Sequence, residues 1–405
     1  MKTSFLTVRD YDLNNKTVLL RADLNVPRQN NTVTDTTRID RLKATIDYLQ
    51  SQNAKTLILS HFGRPDGEEN PEMSLAFLAP VLEKQWQLPV KFSPQCIGET
   101  AENIAQNAQV KDIILLENLR FHKGEKANTP DFVESLAKLG DIYVNDAFSA
   151  SHRTHASTTG LAHILPSAAG LLMEQELNAL QAALETPEKP VLAVTGGSKI
   201  STKLNVLTNL IEKVDYLVLG GGMANTFLYA QGYDLGKSLC EKDMKETVQD
   251  IMNKAKKIGC EIILPQDMVV CEELKENTPH KSVSIANISE NDMAVDIGEQ
   301  SIQFIINKIK TCKTVVWNGP LGVFEIKPFD NGTNKVAQAV ANQTCTSVAG
   351  GGDTVAALEN ANAADQFSYI STAGGAFLEW LEGNDLPGIT ALIQTSDDKP
   401  KKVPA

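Results

Sequence analysis

The sequence predicts an α/β fold made of two parallel-sheet halves, and three observations carry that expectation. Short apolar, β-branched runs alternate with helix-forming stretches along the chain, the pattern of strands joined by right-handed crossovers. Nearly every polar or glycine-rich cluster with chemical potential stands just after one of those runs, where open α/β sheets bind their ligands. One amphipathic stretch, Leu171–Glu185, ends in Thr186-Pro187-Glu188-Lys189-Pro190, and prolines so placed stop a helix. With 405 residues the chain has room for two or three domains.

In the first half the expected strands are Thr17–Arg21, Lys55–Ser60, Pro89–Ser93, Asp112–Leu116 and Asp141–Asn145. Four of them run into polar turns: Ala-Asp-Leu-Asn-Val-Pro, His-Phe-Gly-Arg-Pro, Glu-Asn-Leu-Arg-Phe and Asp-Ala-Phe-Ser-Ala-Ser-His-Arg. Helices are expected over Arg38–Gln50 and Pro130–Leu139. Within Leu171–Glu185, Met173, Leu177, Leu180 and Leu184 recur at helical spacing, so one face packs. That stretch reads as a linking helix of roughly 20 Å with a hinge at its proline exit. The domain boundaries that follow are 1–170, a linker over 171–186, and 187–387.

The second half repeats the pattern, with strands expected over Pro190–Val194, Tyr216–Leu219, Glu261–Leu264, Thr314–Trp317, Ser347–Ala349 and Phe367–Ser371. The stretch from Ser347 to Leu358 is its most telling element. Gly350, Gly351 and Gly352 separate a short apolar run from a helix-forming one, so strand, tight turn and helix start follow one another. The first amides of a helix lack internal partners and its dipole favours an anion there. Asp353 conflicts with an anion unless a divalent cation such as Mg²⁺ lies between carboxylate and phosphate. The stretch therefore reads either as a Mg–nucleotide phosphate site or as a capped helix with Asp353 in its first turn. Gly196-Gly197-Ser198-Lys199-Ile200-Ser201-Thr202-Lys203 also follows a strand and is expected to open a helix, which would place Lys199 and Lys203 on one face. Lys237-Ser238 imitates a Walker A loop but is one residue short. Gly220-Gly221-Gly222 does not extend to G-x-G-x-x-G, because position 225 is Asn, which weighs against a dinucleotide dehydrogenase.

Composition narrows the classes. The net charge of −12 argues against general nucleic-acid or anionic-membrane binding. No apolar run approaches a membrane span, and Arg9, Asp10 and Asp12 interrupt any secretory signal core. The six cysteines are scattered without a C-x-x-C pair, so a reducing cytoplasm is expected. All eight arginines precede residue 154, and beyond it every cation is Lys or His. The planar guanidinium suits bidentate phosphate or carboxylate binding, so the first half is expected to hold a small anion. Its turns supply Asp23, Asn25, Arg38, His61, Arg64, Arg120, His152 and Arg153. His61 and Asp23 stand as a pair for proton transfer that nothing in the sequence demonstrates.

Taken in order, the motifs resemble phosphoglycerate kinase along essentially the whole chain: Arg21-Ala-Asp-Leu-Asn-Val-Pro27, Ser60-His-Phe-Gly-Arg-Pro65, Glu117-Asn-Leu-Arg-Phe121, Asp146-Ala-Phe, Gly196-Gly-Ser-Lys, Gly220-Gly-Gly-Met-Ala, Trp317-Asn-Gly-Pro-Leu-Gly-Val-Phe-Glu325 and Gly350-Gly-Gly-Asp-Thr354. The resemblance implies two Rossmann-like domains facing a central cleft, with the tail from about 388 to 405 returning to the first. It implies 3-phosphoglycerate or 1,3-bisphosphoglycerate on the first domain, held by Asp23, Asn25, Arg38, His61, Arg64, Arg120 and Arg153. Mg–ADP or Mg–ATP would lie on the second. Its phosphates would meet Gly197, Lys199, Lys203, Asn318 and the turn Gly350, Gly351, Gly352, Asp353 and Thr354, with Asp353 on Mg²⁺. Glu325 would take the ribose, and Gly220, Gly221, Pro320 and Val323 would border the adenine. Arg38, Lys199, Lys203, Gly351 and Gly374 would serve the moving phosphoryl group. Three positions depart from the family pattern: Ser149 and Ala373 where it has Gly, and Phe62 where it commonly has Leu. Phosphoryl transfer to a carboxylate needs no general base, only alignment and charge compensation, which these residues supply. The expectation is a monomeric cytoplasmic glycolytic kinase. The rivals are a dehydrogenase on a similar fold and a nucleotide-binding module without catalysis.

Overall fold

The computed structural model describes residues 5–29 and 32–393, and the chain divides into two units, Met1–Leu177 with Asp385–Ala405, and Asn178–Asn384. The boundary at 177/178 falls inside the helix expected to link the halves, not at its ends. That helix is α-helical over Leu171–Leu180 and widens to a π-type turn over Gln181–Glu185. Residues 394–405 of the expected returning tail lie outside the described residues. Asp385–Ile393 groups with the first unit, and Gly388 N donates to Ser151 O at 2.8 Å.

The first unit contains β1 (Thr17–Arg21), β2 (Arg28–Gln29), β3 (Thr32–Val33), β4 (Lys55–Leu59), β5 (Lys91–Ser93), β6 (Ile113–Leu116), β7 (Ile142–Asn145) and β8 (Ser167–Ala169). Six of them form a parallel sheet in the order β5-β6-β4-β1-β7-β8, while β2 and β3 make an antiparallel ribbon. Sequence reading missed β8 and the ribbon. Ser167-Ala168-Ala169 carries no β-branched residue, so only its pairing with β7 makes it a strand. Both faces of the sheet are covered, which is why its central strands are continuous apolar runs. Leu20, Ile58, Leu115 and Val144 pack in one core with Ile39, Leu42, Ile46 and Leu49 of the helix Thr37–Ser51.

The second unit contains β9 (Val191–Thr195), β10 (Tyr216–Leu219), β11 (Glu261–Ile263), β12 (Asp267–Cys271), β13 (His280–Ser284), β14 (Met293–Ile297), β15 (Thr314–Asn318), β16 (Thr346–Gly350) and β17 (Tyr369–Ser371). Its parallel sheet runs β11-β10-β9-β15-β16-β17, and a separate antiparallel sheet runs β13-β12-β14. The antiparallel sheet was not expected. β13 has a single apolar residue, Val283, and is mostly exposed, so it carries no alternation to read. Trp317 of β15 is fully buried against Phe367, and its indole N–H donates to Gly319 O at 2.8 Å, which fixes the turn leaving β15.

Candidate active site

Two clusters form, one at the strand ends of each sheet. In the first unit, the exits of β1 and β4 are tied by Ser60, whose hydroxyl donates to Ala22 O at 2.8 Å and accepts from Leu24 N at 3.1 Å. Asp23 and Asn25 follow. Arg38 lies in the first turn of the helix Thr37–Ser51 rather than at a strand end, yet its Nη1 reaches Asp23 Oδ2 at 2.7 Å and Asn25 O at 2.9 Å. Asp23 also accepts from the Ser149 hydroxyl, so the departure at 149 adds a hydrogen bond. Asn25 Oδ1 accepts from Gly63 N at 3.0 Å, and Gly63 O accepts from Arg120 Nη1 at 2.6 Å. Arg64, Asp66, Arg120, Lys126, Arg153 and His155 line a cavity of about 260 Å³.

His61 does not pair with Asp23. Its Nδ1 lies 2.9 Å from Arg21 Nη2, and a guanidinium only donates, so Nδ1 is the acceptor and Nε2 carries the proton. Burial, helped by Arg21, Arg120 and Arg153, holds its pKa well below 6.5, so the ring is neutral at pH 7. Burial and the same crowding, Arg153 and Arg21 foremost, push Arg120 down to about 10, and His155 falls to about 4 by burial and Arg120. This concentration of positive charge favours an anion, and the Glu125 carboxyl works against part of the crowding at Arg120. Beneath it lies Glu125, whose two carboxylate oxygens accept from Ser157 Oγ at 2.6 Å and Ser157 N at 3.1 Å. Arg21 Nε donates to the same Ser157 Oγ at 2.9 Å. Sequence reading missed Arg21, Glu125, His155 and Ser157 as site residues; the one available signal was a charged residue closing the apolar run Thr-Val-Leu-Leu-Arg. His152 accepts from Arg153 Nε at 3.0 Å.

In the second unit the ends of β10, β9, β15 and β16 lie side by side. Lys203 Nζ donates to Gly196 O at 2.8 Å and to Asn318 Oδ1 at 2.7 Å. Asn318 Nδ2 donates to Gly350 O at 2.8 Å, and Gly319 N donates to Thr354 Oγ1 at 2.7 Å. One hydrogen-bonded chain thus joins the turns after β9, β15 and β16. Lys199 and Lys203 do not share a helical face: the helix begins only at Leu204, and residues 196–203 form an irregular turn. In it Lys199 is exposed, while Lys203 is half-buried and folds back onto Gly196 and Asn318. Burial pulls the Lys203 pKa down to about 8, with the Asp353 charge working the other way.

Gly197, Gly220 and Gly221 meet where β9 and β10 end. Gly221 has φ +61°, and a Cβ there would lie 2.8 Å from Gly197 O. Gly350 closes β16, Gly351 at φ +103° turns the chain, and Gly352 opens the helix that carries exposed Asp353 and buried Thr354. Pro320 and Val323 lie in the turn after β15, where Val323 N donates to Val295 O at 2.8 Å, and Glu325 is exposed. Leu239, 52% exposed, has Cδ2 3.2 Å from where a Cβ on Gly222 would stand. It is an apolar neighbour of this glycine wall that sequence reading missed. Gly374 opens the helix Gly374–Leu381, and Ala373 before it has φ −97°, so its Cβ brings no backbone strain. Among the described residues no group of three or more His, Cys, Asp or Glu could hold a metal alone. A lone carboxylate, Asp353, beside a glycine turn at a helix start fits Mg²⁺, which usually takes one or two carboxylates with substrate phosphates. No helix among the described residues is long and apolar enough to cross a membrane.

The family model described as phosphoglycerate kinase matches residues 8–384. The phosphoglycerate kinase of Rhodospirillum centenum is 56% identical over 393 residues, covering 96% of this chain and 99% of that protein. That of Xanthobacter autotrophicus is 53% identical over 394 residues, again covering 96% and 99%. Among solved structures, phosphoglycerate kinase from Coxiella burnetii aligns with a TM-score of 0.91 at 44% identity, covering 96% of this chain and 99% of that one. The enzyme from Pyrococcus horikoshii OT3 aligns at 0.77 and 31% identity, covering 96% and 98%. With the family model spanning nearly the whole chain and relatives above half identity covering 96% of it, the chain belongs to the phosphoglycerate kinase family.

Proposed function

We propose that the first cluster binds 3-phosphoglycerate or 1,3-bisphosphoglycerate and the second binds Mg–ATP or Mg–ADP, in the reversible phosphoryl transfer of the family. The observation that carries this division is the hydrogen-bonded chain Lys203–Asn318–Gly350 at strand ends that expose glycine main chain, set beside a first unit that concentrates the arginines. In the first unit Arg38, His61, Arg64, Arg120 and Arg153, with Asp23 and Asn25, hold the phosphoglycerate. His61 is a neutral donor through Nε2, not a base. None is needed, because the attacking carboxylate is ionised far below pH 7.

In the second unit Lys203 and Lys199 compensate phosphate charge, and the amides of Gly351 to Thr354 face an anion at a helix start. Gly374 begins another helix whose first amides are free for the transferred group. Asn318 orients Lys203 by accepting a hydrogen bond from its ammonium. Gly220, Gly221, Pro320 and Val323 border the adenine, and exposed Glu325 reaches the ribose. Asp353 would hold Mg²⁺, which supplies further charge compensation at the phosphates when bound. Neither unit carries both sets of groups, so in-line transfer requires them to be brought together in the reacting complex. Small-angle scattering tests this: an unchanged radius of gyration with both ligands bound rules out closure.

The reading includes a monomer working in the cytoplasm; six unpaired cysteines support the reducing compartment, and sedimentation measures the assembly. The deciding experiment supplies ATP, Mg²⁺ and 3-phosphoglycerate and follows acyl phosphate by hydroxylamine trapping. No acyl phosphate from a folded chain overturns the assignment.

A further inference from the structure

The ribbon β2–β3 contributes no residue to either cluster, yet one of its side chains acts on the first. Arg28 is half-buried, and its guanidinium carbon lies 5.0 Å from the ring centre of Phe62 and 4.8 Å from that of Phe77. The two rings meet edge to face at 5.1 Å. Arg28 Nη2 also donates to Glu72 O, which holds the guanidinium in place.

Phe62 stands between His61 and Gly63. Its N donates to Asn118 Oδ1 at 3.3 Å, and its O accepts from Asn118 Nδ2 at 2.8 Å. Gly63 in turn bonds Asn25 and Arg120 through N and O. Asn25 and Arg120 are therefore bonded to the short turn that carries His61 and Arg64, and the buried Phe62 side chain anchors that turn in the core. A cation within about 6 Å of an aromatic face is attracted to it, and a planar guanidinium stacks where an ammonium does not.

We propose that Arg28 is a positioning residue for the phosphoglycerate site: it clamps Phe62 against Phe77 and thereby sets the His61–Arg64 turn. This rests on the reading that the first cluster binds phosphoglycerate. Donors of a binding site must be held to a fraction of an ångström, so a turn whose anchoring ring shifts on losing the stacked guanidinium binds its anion less well.

The test uses the full chain with Arg28→Met, Arg28→Lys, Phe62→Leu, the double variant Arg28→Met/Phe62→Leu, and Arg64→Ala. Arg28→Met is expected to raise KM for 3-phosphoglycerate about 5- to 20-fold while KM for Mg–ATP stays within about twofold. Arg28→Lys should restore part of the loss. In the double variant Arg28→Met should add little to Phe62→Leu, because the clamp acts through that ring. Two outcomes overturn the proposal: an unchanged phosphoglycerate KM in Arg28→Met, or both KM values rising together with a falling melting temperature. If Arg64→Ala raises phosphoglycerate KM and Arg28→Met does not, the clamp fails and the site stands. If neither moves it, the site assignment fails as well.

Discussion

Raising the pH is expected to weaken nucleotide binding through one side chain, Lys203. Its Nζ is held at 2.8 Å by Gly196 O and at 2.7 Å by Asn318 Oδ1, and burial pulls its pKa down to about 8. The free protein therefore loses this charge as the pH passes that value. A bound phosphate chain favours the charged form, so binding at higher pH must take up a proton, and the apparent Kd rises toward tenfold per pH unit. From about pH 7.5 to about pH 9.5 the loss amounts to about 25-fold, or about 2 kcal/mol. The nucleotide phosphates have finished titrating below this window, so they add no slope. Calorimetric titration with ADP at saturating Mg²⁺, in two buffers of different ionisation enthalpy, gives both the Kd and the protons taken up. Lys203→Met should bind more weakly at the lower pH and show no slope. A flat Kd for the parent chain, or a slope that survives Lys203→Met, would refute the placement of Lys203 on the phosphates.

Four further expectations follow from the geometry. Arg38→Lys keeps the charge but loses the planar guanidinium, whose Nη1 donates to both Asp23 Oδ2 and Asn25 O while its other N–H groups remain for the substrate, and kcat should fall on the order of 10²-fold with nucleotide KM near the parent value; a near-normal kcat removes Arg38 from the reacting centre. Asp353→Asn should weaken Mg–ADP more than metal-free ADP, and an equal effect on both in calorimetry contradicts a metal role. Gly221→Ala forces a side chain into φ +61° and against Gly197 O, costing about 1–3 kcal/mol, visible as a lower melting temperature and weaker ADP binding. Because burial and neighbouring arginines hold the His61 pKa well below 6.5, KM for 3-phosphoglycerate should show no histidine titration near that pH. A step there that disappears in His61→Gln would show that the ring becomes protonated.

What the sequence determined by itself was local and periodic. Apolar runs of four or five residues such as Ile113–Leu116 and Tyr216–Leu219 are strands because both faces of a parallel sheet are covered. The glycine turns after β9, β10 and β16 were legible because only glycine meets the dihedrals and close approaches they impose, as Gly221 and Gly351 demonstrate. The order of those motifs was enough to indicate the family. Strands without apolar alternation were not legible: Ser167–Ala169 and His280–Ser284 exist through pairing across the sheet, a long-range effect no window can contain. Partner choice was likewise tertiary. Asp23 joins Arg38 and Ser149, His61 joins Arg21, and Lys203 turns away from its sequence neighbour Lys199 to reach Asn318, 115 positions along the chain. The protonation states belong to the fold as well. His61 is neutral and Lys203 titrates near 8 because packing removes water from groups that other strands bring together, and burial is a property of the assembled unit rather than of any stretch of chain.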